Sequence, residues 1–234
     1  TVSVGYSAAG GTVRAESDGE LEMNFARSYV GAYSVELSDM TPDGDGVIAV
    51  TAEPQRLPFG DVSDGAWYRD ATEYVYLNSL MNGMSPTTFE PDRSMSRAML
   101  VTVLWRMNSS PAVSGAAPFA DLKQGWYCDA VAWAYENGIV NGKSATEFDP
   151  DGDITREQLA TIMFRYAASC GADVSERVPL EFPDAADTHG YAEDAMGWAC
   201  AVGLIGGADG MLLPRRCASR AQVATIIMRY REEF

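Results

Sequence analysis

The sequence predicts a mainly α-helical chain: three copies of a helix-loop-helix repeat that share a packing axis, preceded by a small antiparallel β module. Three observations lead to this prediction. Four short landmarks recur three times in the same order, each copy carries two stretches with helical periodicity, and the first 56 residues alternate with a period of two instead.

The repeat is defined by landmarks whose starts lie 60 and 63 residues apart. Each copy opens with Phe-x-Asp, continues into an aromatic-x-x-Asp-Ala stretch, reaches a turn that ends in Gly, and closes with Ser-Arg or Thr-Arg. In chain order these landmarks begin at Phe59, Phe119 and Phe182; at Trp67, Trp126 and Tyr191; at Leu80, Ile139 and Leu204; and at Ser96, Thr155 and Ser219. Four landmarks repeated in one order predict repeats over residues 57–112, 117–172 and 180–234.

Two amphipathic helices are predicted in each repeat because apolar residues recur with a 3.6-residue period. The first helices carry Ala71, Tyr74 and Val75; Ala130, Trp133 and Ala134; and Ala195, Trp198 and Ala199. The second carry Leu100, Val103, Leu104 and Met107; Leu159, Ile162, Met163 and Tyr166; and Val223, Ile226, Ile227 and Tyr230. One helix pair cannot bury its own apolar stripe, so we expect the three pairs to pack together.

Glycine and capping residues mark the expected helix ends. Gly83, Gly142 and Gly207 follow the first helices, where a left-handed C-cap suits glycine. Ser96, Thr155 and Ser219 are good N-caps for the second helices. Gln158 and Gln222 complete capping boxes in repeats two and three, whereas repeat one has Met99 at that position.

Residues 1–56 are predicted to form a β module of about four strands, or to be the tail of an upstream domain. Apolar and polar residues alternate over 21–25 and 33–37, and 47–52 reads as a further strand after the turn at 41–46. The chain begins at Thr1, so we expect it to be a fragment of a longer protein.

Composition excludes several classes of function. The net charge is −16, with 33 acidic and 17 basic residues, so nucleic acid and anionic membranes are poor partners. No apolar run approaches the ~18 residues of a membrane span. An acidic molecule of this kind binds an anion only through a local cluster of arginine.

No cofactor, metal site or catalytic residue is expected. The four cysteines lack metal-ligand spacing and His189 is the only histidine. The segment 149–154 resembles a calcium loop but has Ile154 where such loops need glycine. A disulfide between Cys200 and Cys217 is a further hypothesis, because both lie in the third repeat.

An anion site is predicted from Arg97, Arg156 and Arg220, which each begin a second helix. A cation there opposes the helix dipole at a cost of ~0.3–1 kcal/mol, so three occurrences favour a ligand role. Guanidinium groups, free backbone N–H groups and dipole would then converge on one anion. In the alternative, each arginine pairs with an acid such as Asp92, Asp151 or Asp153.

Aromatic and acidic landmarks complete the candidate site. Trp67, Trp126 and Tyr191 open the first helices and could stack on sugar rings, or equally be core residues. Asp61, Asp121 and Asp184 could accept hydrogen bonds from sugar hydroxyls, or cap the short turn before the helix.

The motifs resemble the S-layer homology domain: Phe-x-Asp, Trp-Tyr-x-Asp-Ala, Gly-Ile-Val-Asn-Gly, Phe-Asp-Pro and Thr-Arg-Glu-Gln, over about residues 58–234. The resemblance implies a pseudo-threefold bundle with ligand grooves between repeats, in a bacterial protein at the cell wall or surface layer. It also implies binding of secondary cell-wall polysaccharide, often through pyruvylated N-acetylmannosamine, whose ketal supplies a carboxylate. The arginines, the helix-opening aromatics and the turn glycines are then the expected groove residues.

Repeat three departs from this pattern, with Tyr191 in place of Trp, Leu212 in place of the loop Phe, and a shorter loop. Its groove is therefore expected to be degenerate. Two alternatives to polysaccharide anchoring stay open: peptidoglycan binding, and a structural role in which the repeats make protein–protein contacts in a surface array, with possible self-assembly of the full-length protein.

Overall fold

The computed structural model describes residues 57–234 and the backbone of five short strands in the first 50 residues. The chain divides into two compact units, Thr1–Phe89 and Glu90–Phe234. The predicted turn at 41–46 lies outside the described residues.

The five strands form two antiparallel sheets in the first unit. β1 (Val2–Val4) pairs with β4 (Tyr33–Val35), and β2 (Gly11–Ala15) lies between β3 (Leu21–Phe25) and β5 (Val47–Val50). The alternation over 21–25, 33–37 and 47–52 indicated β3, β4 and β5, whereas β1 and β2 were not singled out from the sequence.

The first unit also contains helix α1 (Arg69–Leu77) of the first predicted repeat. Its predicted apolar positions, Ala71, Tyr74 and Val75, are buried. The Phe59 ring packs on Tyr76 and Phe89, with ring centroids 4.9 and 5.5 Å away. The Phe-x-Asp landmark thus contributes a core aromatic residue.

Five helices make up the second unit: α2 (Arg97–Met107), α3 (Cys128–Glu136), α4 (Arg156–Ser169), α5 (Glu193–Ala201) and α6 (Arg220–Glu233). Two 3-10 turns, Ala185–Asp187 and Gly190–Ala192, precede α5. The predicted apolar positions of these helices are buried, except that Met107 is half-buried. The mainly helical fold class is therefore confirmed.

A ring of backbone hydrogen bonds joins the segments that precede α2, α4 and α6. Met95 N–H donates to Ala218 O (2.9 Å), Ala218 N–H to Ile154 O (2.8 Å), and Ile154 N–H to Met95 O (2.9 Å). Each of the three residues immediately precedes a helix N-cap. Because each residue both donates to one neighbour and accepts from the other, the three segments are related by a pseudo-threefold axis.

The helix caps agree with the sequence at the N-termini but not at the C-termini. Thr155 with Gln158 and Ser219 with Gln222 form both bonds of a capping box, whereas Ser96 only accepts from Met99 N–H.

The first helices end before the landmark glycines. Positive φ angles occur instead at Ser79, Gly138 and Gly203, two residues beyond the last helical residue in each repeat. The prediction that Gly83, Gly142 and Gly207 are helix C-caps is thus wrong.

Cysteine pairing is also different from the hypothesis: Cys128, Cys170, Cys200 and Cys217 are all free thiols. Cys217 lies beside the second repeat, where it forms a backbone bridge with Thr155. The location of Cys200 and Cys217 in one predicted repeat therefore did not predict a disulfide between them.

Candidate functional site

The three landmark arginines are buried, with exposed fractions of 6% for Arg97, 5% for Arg156 and 4% for Arg220. Arg97 donates from Nε to Phe148 O (2.8 Å) and from Nη2 to Asn141 O (3.1 Å). Arg156 donates from Nε to Leu212 O (2.9 Å). Each of these two guanidinium groups therefore holds the loop of the next repeat in the chain.

Burial determines the electrostatics of these two arginines. Desolvation lowers the pKa of Arg97, against the opposing effects of Asp149, Tyr191 and Asp121. It lowers the pKa of Arg156 as well. No carboxylate lies within 4 Å of either guanidinium in the described part of the chain, so the predicted alternative of ion pairing with a nearby acid is wrong for Arg97 and Arg156.

The backbone N–H groups that follow the N-caps are already occupied. Arg97 and Ala98 donate to Gly152 O and Pro150 O, at 2.9 and 3.0 Å. The same two bonds recur at α4 with Arg216 O and Pro214 O, and at α6 with Arg93 O and Pro91 O. The expectation that free N–H groups help to bind an anion is therefore wrong for the first two positions of each helix.

The helix-opening aromatics are exposed, with exposed fractions of 66% for Trp67, 60% for Trp126 and 57% for Tyr191. The alternative that they are core residues is wrong. Trp67 and Trp126 each meet the following tyrosine edge-to-face, with ring centroids 5.3 Å apart. This contact orients each indole while leaving most of its surface open to solvent.

The landmark aspartates hold the loop between the two helices of their own repeat. Asp121 accepts from Phe148 N–H (2.9 Å) and Asp149 N–H (2.7 Å). Asp184 accepts from Leu212 N–H and Leu213 N–H, both at 2.8 Å. Asp61 accepts from Phe89 N–H at 2.8 Å. Neither predicted role, sugar acceptor or cap of the preceding turn, describes this loop-holding contact.

The loop contact also sets the acidity of these carboxyl groups. Desolvation would raise the pKa of Asp121, but the N–H groups of Phe148 and Asp149 outweigh it and hold that pKa below its usual value. The pKa of Asp184 is lowered in the same way, with desolvation opposed by the N–H groups of Leu212 and Leu213.

The landmark glycines mark close approaches of the chain. A Cβ atom at Gly142 would lie 2.3 Å from Ser144 O and 2.5 Å from Glu147 O and the Phe119 ring. At Gly83 it would lie 2.4 Å from Ser85 O, and at Gly207 2.6 Å from the Phe182 ring. These positions take glycine because the loop folds back over the repeat's first phenylalanine.

A polar cluster at the third repeat was missed by the sequence analysis. The Glu157 carboxylate accepts from His189 N–H (3.0 Å) and Tyr191 O–H (3.0 Å), and it contacts His189 Nδ1 at 2.6 Å. Part of the signal was present in the sequence: Glu157 stands where the other two repeats have Ala98 and Ala221, and His189 is the chain's only histidine.

Residues 57–234 and the strand backbones contain neither a metal-ligand cluster nor a membrane-spanning helix. Nowhere in this part of the chain do three or more His, Cys, Asp or Glu side chains gather as metal ligands. None of its helices has the length and apolar character needed to cross a membrane.

Comparison with known proteins identifies the repeats. Residues 58–98 and 118–160 match the sequence model of the S-layer homology domain. The chain is 34% identical over 173 residues to an endoglucanase of Bacillus sp. (strain KSM-635), which covers 73% of the chain and 18% of that protein. It is 30% identical over 165 residues to the surface-layer 125 kDa protein of Lysinibacillus sphaericus, covering 70% of the chain and 13% of the relative.

A third relative is the exoglucanase XynX of Acetivibrio thermocellus, 27% identical over 79% of the chain and 18% of the relative. The chain thus spans less than a fifth of the length of these three proteins. The two matched segments lie within the first two predicted repeats, while the third predicted repeat joins the ring of backbone bonds through Ala218.

Proposed function

Because this chain belongs to the S-layer homology domain family, and so is a cell-surface anchoring module, we propose that it binds an acidic secondary cell-wall polysaccharide in grooves between its repeats. The proposed ligand carries a carboxylate, such as a pyruvate ketal. The rest of the parent protein would then be displayed at the wall, and any catalysis would belong to that part.

The observation that carries this proposal is the exposure of Trp67 and Trp126 at equivalent positions. Exposing two indole rings is unfavourable unless a ligand covers them, and their flat apolar faces suit the C–H face of a pyranose ring. Trp133 and Trp198, in contrast, are buried in the first helices of repeats two and three. The two exposed rings are thus separate from the core.

The buried arginines supply local positive charge in a molecule of net charge −16. In Arg156 only Nε has a hydrogen-bond partner, and in Arg97 Nε and Nη2 have one, among the residues that the structure describes. The remaining nitrogens can donate to a ligand carboxylate. A partly desolvated guanidinium binds such an anion more strongly than an exposed one does.

Substitution of Trp126 tests the proposal without disturbing the fold. Trp126→Ala should weaken binding of purified wall polysaccharide by about tenfold or more in calorimetric titration, since base-like stacking on an aromatic ring contributes ~1–3 kcal/mol. The melting temperature should stay unchanged because the side chain is exposed. Trp126→Phe, which keeps a ring, should retain part of the affinity.

Sacculi provide the matching test with the natural wall. The chain should sediment with intact sacculi and remain in solution after acid extraction of the secondary polymers. Sedimentation that persists after extraction would support peptidoglycan as the ligand. Normal polysaccharide binding by Trp126→Ala would contradict the proposal that the ligand stacks on Trp126 in a groove.

A further inference from the structure

The surface around Tyr191 differs chemically from its counterpart in the second repeat. Tyr191 and Trp126 occupy equivalent positions, and by the same pseudo-threefold relation Glu157 of α4 is the counterpart of Ala98 of α2. His189 likewise corresponds to Gln124. At these three positions the third repeat thus has a phenol, a carboxylate and an imidazole, where the counterparts have an indole, a methyl group and an amide.

The Glu157 side chain is only 3% exposed, and its carboxylate is held by three contacts. Its partners are the backbone N–H of His189, the imidazole Nδ1 of His189 and the phenol of Tyr191. Because all three partners come from residues 189–191, Glu157 fixes the two rings of the third repeat against the second. The third repeat therefore has a preorganised surface.

The two rings held by Glu157 form one aromatic surface. The planes of His189 and Tyr191 are 25° apart and their centroids are 5.8 Å apart. Both rings are about half exposed, at 52% for the His189 side chain and 57% for Tyr191. The stacked pair thus presents an aromatic face that is fixed in place and open to a pyranose ring.

Charge distinguishes this surface from an anion site. Burial and then the negative charge of Glu157 raise the pKa of Tyr191 to about 12, with the positive charge of Arg97 opposing them. The carboxylate thus acts directly at the ring on which a sugar would stack. Because Arg97 acts on the same ring with the opposite sign, Glu157 offsets the attraction that this guanidinium would exert on a sugar carboxylate, whereas the hydroxyl groups of an uncharged sugar are unaffected.

We propose that Glu157 is a specificity-determining residue, which makes the Tyr191–His189 surface a subsite for an uncharged sugar and excludes the acidic residue of the wall polymer. This inference rests on the proposed function, because it assigns the two kinds of sugar in one polymer to different repeats. The third repeat is then not degenerate but selective for a different unit.

The single histidine gives an unambiguous reporter of this subsite. Titrations would follow the His189 ring signals and the Trp126 indole signal by NMR, using a disaccharide that bears a pyruvate ketal and the same disaccharide without the ketal. In the natural protein the ketal-free probe should shift the His189 signals. The acidic probe should shift Trp126 and leave His189 unchanged.

Glu157→Gln keeps the acceptor oxygen and removes the charge. The acidic probe should then shift His189, with an affinity raised about tenfold, the order expected when one like charge is removed from a partly buried site. If Glu157→Gln fails to fold, Ala98→Glu decides the question, because it should abolish the shift of Trp126 by the acidic probe.

Two results would overturn the inference: His189 shifts equally with the acidic probe in the natural protein and in Glu157→Gln, or the ketal-free probe leaves His189 unmoved. An acidic probe that shifts neither His189 nor Trp126 in the natural protein would instead contradict the proposed function. In that case the ketal-free probe still decides whether the Tyr191–His189 surface binds an uncharged sugar.

Discussion

The side chain of Arg156 supports the fold. Judged by its sequence position, it opposes the dipole of α4 and should cost stability. In the structure it is buried and donates to Leu212 O in the loop of the third repeat. Since a hydrogen bond from a charged donor contributes ~1.5–3 kcal/mol, this contact outweighs a dipole penalty of ~0.3–1 kcal/mol.

Arg156→Ala should therefore lower the free energy of unfolding by about 2 kcal/mol, in addition to weakening glycan binding. Urea denaturation followed by circular dichroism measures this change. Arg231→Ala is the matched control, because Arg231 is exposed near the end of α6, and its loss should change stability by less than about 0.5 kcal/mol. An Arg156→Ala variant as stable as the natural chain would contradict the structural role.

Gly142 is a position where no side chain fits. Gly142→Ala should destabilise the protein by about 1–3 kcal/mol, because two backbone oxygens and the buried Phe119 ring lie within 2.5 Å of the new Cβ. Gly206→Ala is the control, since a Cβ there meets nothing within 4 Å. The melting temperature of Gly142→Ala should be clearly lower than that of Gly206→Ala, and equal melting temperatures would contradict this interpretation.

At the scale of elements, the loop between the two helices of each repeat depends on one carboxylate. In repeat two, Asp121 holds the backbone of Phe148 and Asp149 across 27 and 28 residues of sequence. Phe148 is fully buried beneath this loop, and Arg97 lies over its ring at 4.7 Å. The carboxylate thus positions both the aromatic plug and the carbonyl that Arg97 binds.

The lowered pKa of Asp121 makes this contact dependent on pH. A carboxyl group whose pKa is lower in the folded state stabilises fully above its unfolded value of ~3.9, and this stabilisation is lost as the pH falls through the folded pKa. Asp121→Asn should cost about 1 kcal/mol at neutral pH and should flatten the loss of stability below pH ~4.

Denaturation midpoints measured across pH 2–7 would show this flattening. Asp151→Asn supplies the control, because it removes one negative charge from an exposed side chain near the same loop. A profile for Asp121→Asn that parallels the natural one would mean that the loop does not depend on this carboxylate.

The sequence predicted those parts of the elements that depend on nearby residues. Helix periodicity and the capping boxes at Thr155 and Ser219 involve residues within four positions of each other, and the structure confirms them. The C-cap prediction failed because Gly142 does not have the positive φ of a left-handed C-cap. Glycine is needed there because the Phe119 ring, which is distant in sequence, approaches too closely for a Cβ atom.

The sequence predicted which residues form the candidate site, but it did not predict the burial or the hydrogen-bond partners of these residues. Repetition singled out the arginines and aromatics, but the bond from Arg97 to Phe148 O spans 51 residues of sequence. Whether a side chain is buried depends on which loop the neighbouring repeat places over it. The Glu157 cluster was missed for the same reason, because its partners lie 32 and 34 residues away.

At the scale of the whole second unit, the ring of bonds through Met95, Ile154 and Ala218 is closed rather than open. In an open stack of repeats the terminal copy can be removed at modest cost, because only one neighbour contacts it. In a closed ring every copy contacts two others. We therefore expect the second repeat to depend on the third, although the matched family segments do not include the third.

Deletion of residues 173–234 tests this closure. It removes the acceptors of Met95, Arg156 and Glu157 N–H and uncovers Ile154, which is fully buried. Unpaired buried donors cost ~1–3 kcal/mol each, and together with the uncovered apolar surface this is comparable to the whole stability of a domain of ~5–15 kcal/mol. We expect the shortened chain to lose its cooperative urea transition and most of its helical circular dichroism. The matched control is deletion of residues 1–56, after which residues 57–234 should keep a helix-dominated spectrum. A chain ending at residue 172 that unfolds cooperatively, at the midpoint of the natural protein, would show that the repeats are stable without closing the ring.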